Sequence, residues 1–90
     1  MKKTVRISVT GKVQGVFYRQ STKETAKALG ITGEVRNEDD GSVTVIATGT
    51  GEQIQRLIDW CKTGPRKAVV ERVRVDELEL KEFSDFRIVR

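Results

Sequence analysis

Residues 4–30, TVRISVTGKVQGVFYRQSTKETAKALG, change their hydrophobic period once, and that change decides the fold. From Thr4 to Thr10, Val5, Ile7 and Val9 alternate with Arg6, Ser8 and Thr10, the period of two that a half-buried strand requires. Gly11-Lys12-Val13-Gln14-Gly15-Val16 interrupts the alternation. From Tyr18 onward the small or apolar positions Tyr18, Thr22, Ala26 and Leu29 recur at helical spacing as far as Gly30. Ser21 and Glu24 offer a capping box that would start this helix at Thr22. The periodicity reaching back to Tyr18 argues for the earlier start.

Outward from this strand and helix the pattern continues in short pieces. Thr32 to Asn37 reads as a second strand, Asp39-Asp40-Gly41 as a hairpin turn, and Val43, Val45 and Ala47 as the buried face of a third strand. Thr50 and Gln53 form a capping box ahead of Ile54, Leu57, Ile58 and Cys61, which share one helical stripe that stops at Gly64-Pro65. Ala68 to Leu80 is strand-rich, and its period breaks between Val70 and Val73, which predicts a bulge near Glu71-Arg72. Phe86 and Ile88 supply a short last strand. This order predicts one α+β domain over residues 1–90, a ferredoxin-like split βαβ sandwich. It has an antiparallel sheet, two helices on one face and a short fifth strand whose place in the sheet the pattern leaves open.

Composition removes several kinds of chemistry. The chain has no histidine and a single cysteine, Cys61, which excludes Ser-His-Asp and Cys-His nucleophiles, multi-Cys or His zinc sites and an intrachain disulfide. Cys61 itself reads as a small core residue on the apolar stripe, with Trp60 half-buried beside it. Charged residues make up 33% of the chain against 37% hydrophobic, the balance of a soluble globular protein, and no apolar run reaches membrane-spanning length. The net charge of +4 admits an anionic partner, though Arg66-Lys67 and Arg72 with Arg74 read more simply as solvated surface. Met1-Lys2-Lys3 leads into a strand without an apolar h-region or a cleavage site, so a cytoplasmic protein is expected. With no heptads and no evident apolar patch, a monomer is expected too.

In a βαβ unit the two strands run parallel, so the loop leaving the first strand and the far end of the second emerge at one edge of the sheet. Residues 11–19 and Asn37 are therefore expected to be neighbours. Glycines at 11 and 15 let the backbone bend towards a ligand, and free N–H groups at the start of a helix make an anion cradle. Arg19 adds a guanidinium fork suited to phosphate oxygens. These residues also admit a plainer reading, with Arg19 a surface arginine at a helix start and Asn37 a turn-entry residue. The Walker A pattern is not met.

Two stretches carry a resemblance that favours the first reading. Gly11-Lys12-Val13-Gln14-Gly15-Val16-Phe17-Tyr18-Arg19 resembles the phosphate-loop motif of acylphosphatases, and Gly33-Glu34-Val35-Arg36-Asn37-Glu38-Asp39-Asp40-Gly41-Ser42-Val43 resembles their second motif. Similarity extends to Gly64-Pro65 with Ala68 and Val70, and to Asp85-Phe86-Arg87-Ile88, so it covers essentially the whole chain. The resemblance implies hydrolysis of a small-molecule acyl phosphate to carboxylate and inorganic phosphate, with no cofactor and no metal. It makes Arg19 the phosphate-binding arginine and Asn37 the residue that orients the attacking water. Gln14, Gly15, Val16, Phe17 and Tyr18 would offer main-chain N–H groups to the phosphate. Two positions depart from the family pattern: Tyr18 stands where many members have phenylalanine, and Glu34 where an aromatic residue is usual. A buried Tyr18 hydroxyl needs a partner, and Glu34, three residues from Asn37, is expected on the opposite sheet face. A cost in stability or surface character is expected from these two, with the chemistry intact.

The chemistry is compatible with so small a set of groups. An acyl phosphate expels a carboxylate whose conjugate acid has a pKa of about 4, so no general acid is needed. Phosphoryl transfer through a loose transition state leaves a protein chiefly to position groups and stabilise charge. Glu38, Asp39 and Asp40 lie near Asn37 but read as a solvated acidic turn rather than as bases. The alternative is a non-catalytic ferredoxin-like binding module for nucleic acid or a phosphorylated ligand. Nucleic acid is disfavoured, because one Trp, one Tyr and three Phe include no aromatic pair on adjacent strands of the kind that stacks bases.

Overall fold

In a computed structural model that describes residues 1–90, strand β1 spans Lys2–Lys12 and helix α1 Tyr18–Leu29. They are followed by β2 (Thr32–Asn37), β3 (Val43–Thr50), α2 (Gly51–Cys61), β4 (Val69–Leu78) and β5 (Phe86–Ile88). Helix α1 takes the earlier of its two starts. The Ser21 N–H already donates to the Phe17 carbonyl at 3.0 Å, so Ser21 lies inside the first turn and caps nothing. Helix α2 keeps its capping box: Thr50 Oγ1 accepts from the Gln53 N–H at 3.2 Å, and Gln53 Oε1 accepts from the Thr50 N–H at 2.8 Å.

The strands form one sheet in the order β4-β1-β3-β2-β5. Alternation sends Val5, Ile7, Val9, Val35, Val43, Val45 and Ala47 to one face, where Ala26 of α1 and Ile54, Leu57 and Cys61 of α2 cover them in a single buried cluster. The bulge lies where the broken period predicts it. Thr10 faces Arg72 and Gly11 faces Val70, which leaves Glu71 as the extra residue on β4. That kink, with Arg72 and Arg74 nearby, also makes β4 a poor template for pairing at the sheet edge.

The first four strands are antiparallel to their neighbours, as expected, but β5 runs parallel to β2, so the sheet is mixed. Its direction follows from where β4 ends. Leu78 pairs with Thr4, at the edge where β1 and β2 both begin, and the chain then crosses the open face to β2 at that same edge. Phe86 consequently pairs with Gly33, and β5 advances alongside β2.

The crossing segment is pinned by two threonines that strand alternation alone would leave in solvent. Thr4 and Thr48 face each other across β1 and β3, are 0% and 2% exposed, and hold the main chain of Lys81. The Lys81 N–H donates to Thr4 Oγ1 at 2.9 Å, and the Thr48 hydroxyl donates to the Lys81 carbonyl at 2.6 Å. With those roles assigned, the Thr4 hydroxyl donates to Thr48 Oγ1 at 2.6 Å, and every group in the ring is satisfied.

At the other end of the helical layer, Tyr18 is 1% exposed and its hydroxyl donates to the Cys61 carbonyl at 2.8 Å, one of the orphan acceptors at the end of α2. The ring packs on Trp60 with centroids 5.5 Å apart. Gly64 makes room for it, since a methyl there would meet Tyr18 Cε2 at 2.6 Å. The buried tyrosine hydroxyl thus has the partner it needs. Glu34 lies on the face opposite Val35 and Asn37, half-buried between the registers of Ile46 and Arg87.

Thr48→Val removes the donor to the Lys81 carbonyl and the acceptor of the Thr4 hydroxyl, leaving those two groups only their long 3.3 Å hydrogen bond to each other, and should cost roughly 1–2 kcal/mol in urea denaturation. Burial pushes the Cys61 thiol up to about 12 and raises Tyr18 as well, so the folded state retains protons that the unfolded chain releases. Stability should therefore be fully present below the ordinary thiol pKa of about 9 and fall as pH rises from there towards 12, with Cys61→Ala flattening the thiol's share of the slope.

Candidate active site

The loop between β1 and α1 is fastened at three points. Val13, Val16 and Tyr18 are buried in the core at 1%, 5% and 1% exposure, while Gly15 and Phe17 face outward and Arg19 is half-buried. Fixing both ends this way requires two left-handed residues, Gly15 at φ 74° and Phe17 at φ 63°. At Gly15 a Cβ would meet nothing within 4 Å, so glycine serves conformation there rather than space. Helix α1 has no side-chain cap, and none of the main-chain N–H groups from Gln14 to Gln20 donates to a protein acceptor. An uncapped helix start preceded by free amides concentrates positive potential at one spot.

Arg19 stands in that potential without an acidic partner or a hydrogen bond to the protein. Together with Val13, Gly15, Phe17, Tyr18, Gln20, Ile88 and Arg90 it lines a cavity of about 310 Å³. A larger concavity of about 700 Å³ lies on the open face of the sheet, but its four arginines are matched by four acids and partly paired. Arg6 and Arg74 reach Asp76 at 3.4 and 3.3 Å, and Arg36 reaches Glu38 at 3.0 Å. A charge-balanced surface of that kind has no strong preference for an anion.

Asn37 ends β2 and is not among the residues that line the Arg19 cavity. Val43 of β3 pairs with both Asn37 and Val9, so the asparagine lies across β3 from the last residue of β1 that β3 pairs with, three residues before β1 ends at Lys12. Its Oδ1 is buried without a hydrogen-bond partner, the only such side-chain atom in the protein. An orphan acceptor of that kind calls for a donor from outside the chain.

The Gln14 side chain joins the two halves. Its Nε2 donates to the carbonyls of Glu38 at 2.8 Å and Ser42 at 2.9 Å, tying the loop to the turn that immediately follows Asn37. That turn is braced in its own right: Asp40 Oδ1 accepts from the Ser42 N–H at 3.0 Å and from its hydroxyl at 2.6 Å. The Ser42 hydroxyl and N–H accordingly hold the Asp40 carboxyl below its usual range, and the Thr44 hydroxyl with Arg36 does the same for Glu38. Both carboxyls are therefore poor proton acceptors.

Thus Gln14, Gly15, Val16, Phe17, Tyr18 and Arg19 form one continuous loop and helix start, and the Gln14 side chain links it to the turn that follows Asn37. Sequence reasoning missed three contributors. Ile88 and Arg90 enter because β5 runs parallel to β2 and ends at the same edge, and Gln14 acts through its side chain as well as offering its amide.

The acylphosphatase family profile matches residues 5–88. An acylphosphatase from Marinobacter nauticus is 51% identical over 80 residues, covering 88% of this chain and 87% of the relative. The solved structure of an acylphosphatase from Coxiella burnetii superposes with a TM-score of 0.95 at 38% identity, covering 98% of this chain and 93% of that one. The crystal structure of the Bacillus subtilis acylphosphatase superposes with the same TM-score at 33% identity over the whole of both chains. The chain belongs to the acylphosphatase family.

If Gln14 sets the spacing between loop and turn, Gln14→Ala should weaken competitive inhibition by inorganic phosphate by roughly three- to tenfold, the loss of one to two ordinary hydrogen bonds. Steady-state inhibition measurements on the purified variant check this.

Proposed function

We propose that this acylphosphatase hydrolyses acyl phosphates with Arg19 and the amides of Gln14 to Tyr18 holding the phosphate and Asn37 holding the water. Asn37 carries the proposal. A buried amide oxygen with no protein partner, on a strand end whose following turn Gln14 ties to a loop of unpaired N–H groups and an unpartnered arginine, supports a reading in which a water nucleophile and an anionic electrophile complete the site. In this reading the Asn37 carbonyl accepts one hydrogen of the water and fixes its oxygen in line with phosphorus. The new P–O bond forms as the bond to the acyl oxygen breaks, and the carboxylate departs without needing a proton. The water's proton passes to a phosphate oxygen of the substrate. Arg19 and the loop amides stabilise the charge that spreads over the three equatorial oxygens.

The braced, readily ionised carboxyls of Glu38 and Asp40 support a mechanism without a protein base, and the easily expelled leaving group supports one without a metal. Residues 1–90 serve in this reading as one catalytic domain. No helix is long and apolar enough to cross a membrane. A cytoplasmic monomer is part of the same proposal, in keeping with the dispersal of exposed apolar residues such as Phe17, Val69 and Leu80 over separate elements. A nucleic-acid reader is not favoured: Tyr18 and Phe86 are buried in the core, and no pair of aromatics occupies adjacent strands.

The division of labour is testable with benzoyl phosphate as substrate. Asn37→Ala should lower kcat by a factor of roughly 100 or more while inhibition by inorganic phosphate changes little, whereas Arg19→Ala should lose both turnover and phosphate binding. Equal loss of phosphate binding in the two variants would contradict these roles.

A further inference from the structure

Phe17 is out of keeping with its surroundings. Its neighbours Val16 and Tyr18 are in the core, yet Phe17 is 76% exposed, and it is the only non-glycine residue at positive φ. A side chain in the left-handed region costs roughly 1–2 kcal/mol relative to ordinary backbone. Glycine would occupy φ 63° without that cost, and the core gains almost nothing from the ring. The phenyl group is instead held at the rim of the cavity that contains Arg19, with Ile88 contributing a second apolar, half-buried side chain.

We infer that Phe17 and Ile88 seat the acyl portion of the substrate and make this enzyme favour acyl phosphates with an aromatic acyl group. The inference rests on the proposed function, since it takes the phosphate to lie against the loop amides and Arg19. With phosphorus there, the carbonyl carbon of the acyl group is two bonds away, and its substituent emerges at the cavity rim. An acetyl methyl is too short to cover a phenyl ring. A benzoyl ring can lie against Phe17 and Ile88, removing apolar surface of both partners from water and adding an aromatic contact. The cradle thus sets which bond is cleaved, while these two side chains set which acyl group is preferred.

The experiment compares kcat/KM for benzoyl phosphate and acetyl phosphate in the wild type, Phe17→Gly and Ile88→Ala. The ratio of the two substrates, rather than either rate, is the readout, because damage to the phosphate cradle alters both rates together and cancels. Glycine is chosen at position 17 because it keeps the left-handed backbone without strain. The benzoyl-to-acetyl ratio is expected to fall about three- to tenfold in Phe17→Gly, the worth of one aromatic contact, and to fall in the same direction in Ile88→Ala. A ratio within twofold of wild type in Phe17→Gly would overturn the inference even though both substrates are still hydrolysed. A wild-type protein that hydrolyses neither substrate would overturn the proposed activity itself.

Discussion

The right-handed crossover from β1 through α1 to β2 is the constraint on which the rest of the structure depends. It makes the two strands parallel, places both helices on one face, and brings the loop after Lys12 and the end of β2 to one edge of the sheet. β3 lies between them and, through Val43, fixes the register of Val9 and Asn37 together. The same geometry sends β4 back to the starting edge, obliges the chain to cross the open face there, and turns β5 to run with β2. All the elements that meet at the site therefore arrive by one topological decision.

Within that frame, the site works by withholding local structure that the rest of the chain supplies. Helix α2 begins with a complete capping box, whereas α1 begins with a left-handed phenylalanine and no cap. The amides left over at α1 keep their donors for a ligand, and buried Val13, Val16 and Tyr18 prevent the loop from relaxing into a conformation that would use them up. Fixed dipoles need little reorganisation when charge develops nearby, which suits a reaction whose barrier is largely electrostatic. Gln14 extends this rigidity from the loop to the turn beyond Asn37 by spending an amide side chain on two main-chain carbonyls.

Most of this architecture is legible in the sequence because alternation and helical spacing state which face of each element is buried. Val5, Ile7 and Val9 or Ile54, Leu57 and Cys61 could hardly be read otherwise, and the broken period at Val70 to Val73 marks Glu71 as surplus before any partner strand is known. What escapes is information about partners. Three residues of β5 are too few to carry a direction, so the entry of Ile88 and Arg90 into the site was not readable. Thr4 and Thr48 look like solvent-facing positions, and only the chain passing over them makes them buried. Gln14 leaves no signature either, since its acceptors are carbonyls that every residue possesses. The proposed roles of Arg19 and Asn37 rest on family resemblance and topology, while their unpaired state depends on folded surroundings that no local pattern announces.

The strand order also has a kinetic side. The central strand β1 is flanked on one side by β3 and on the other by β4, whose pairing joins Thr4 to Leu78, nearly the two ends of the chain. Closing so long a loop before any ladder forms is entropically slow, and mixed folds dominated by such distant pairings cross their transition states later than helical ones of equal size. The loop and Asn37 belong to the earlier portion of the chain, joined by pairings through β3, but the threonine ring around Lys81 and the parallel addition of β5 must wait for the distant half. The cradle, with Phe17 on it, can take shape ahead of β5 with Ile88, so the two side chains that would distinguish one substrate from another come from opposite ends of the chain and meet only when the sheet is complete.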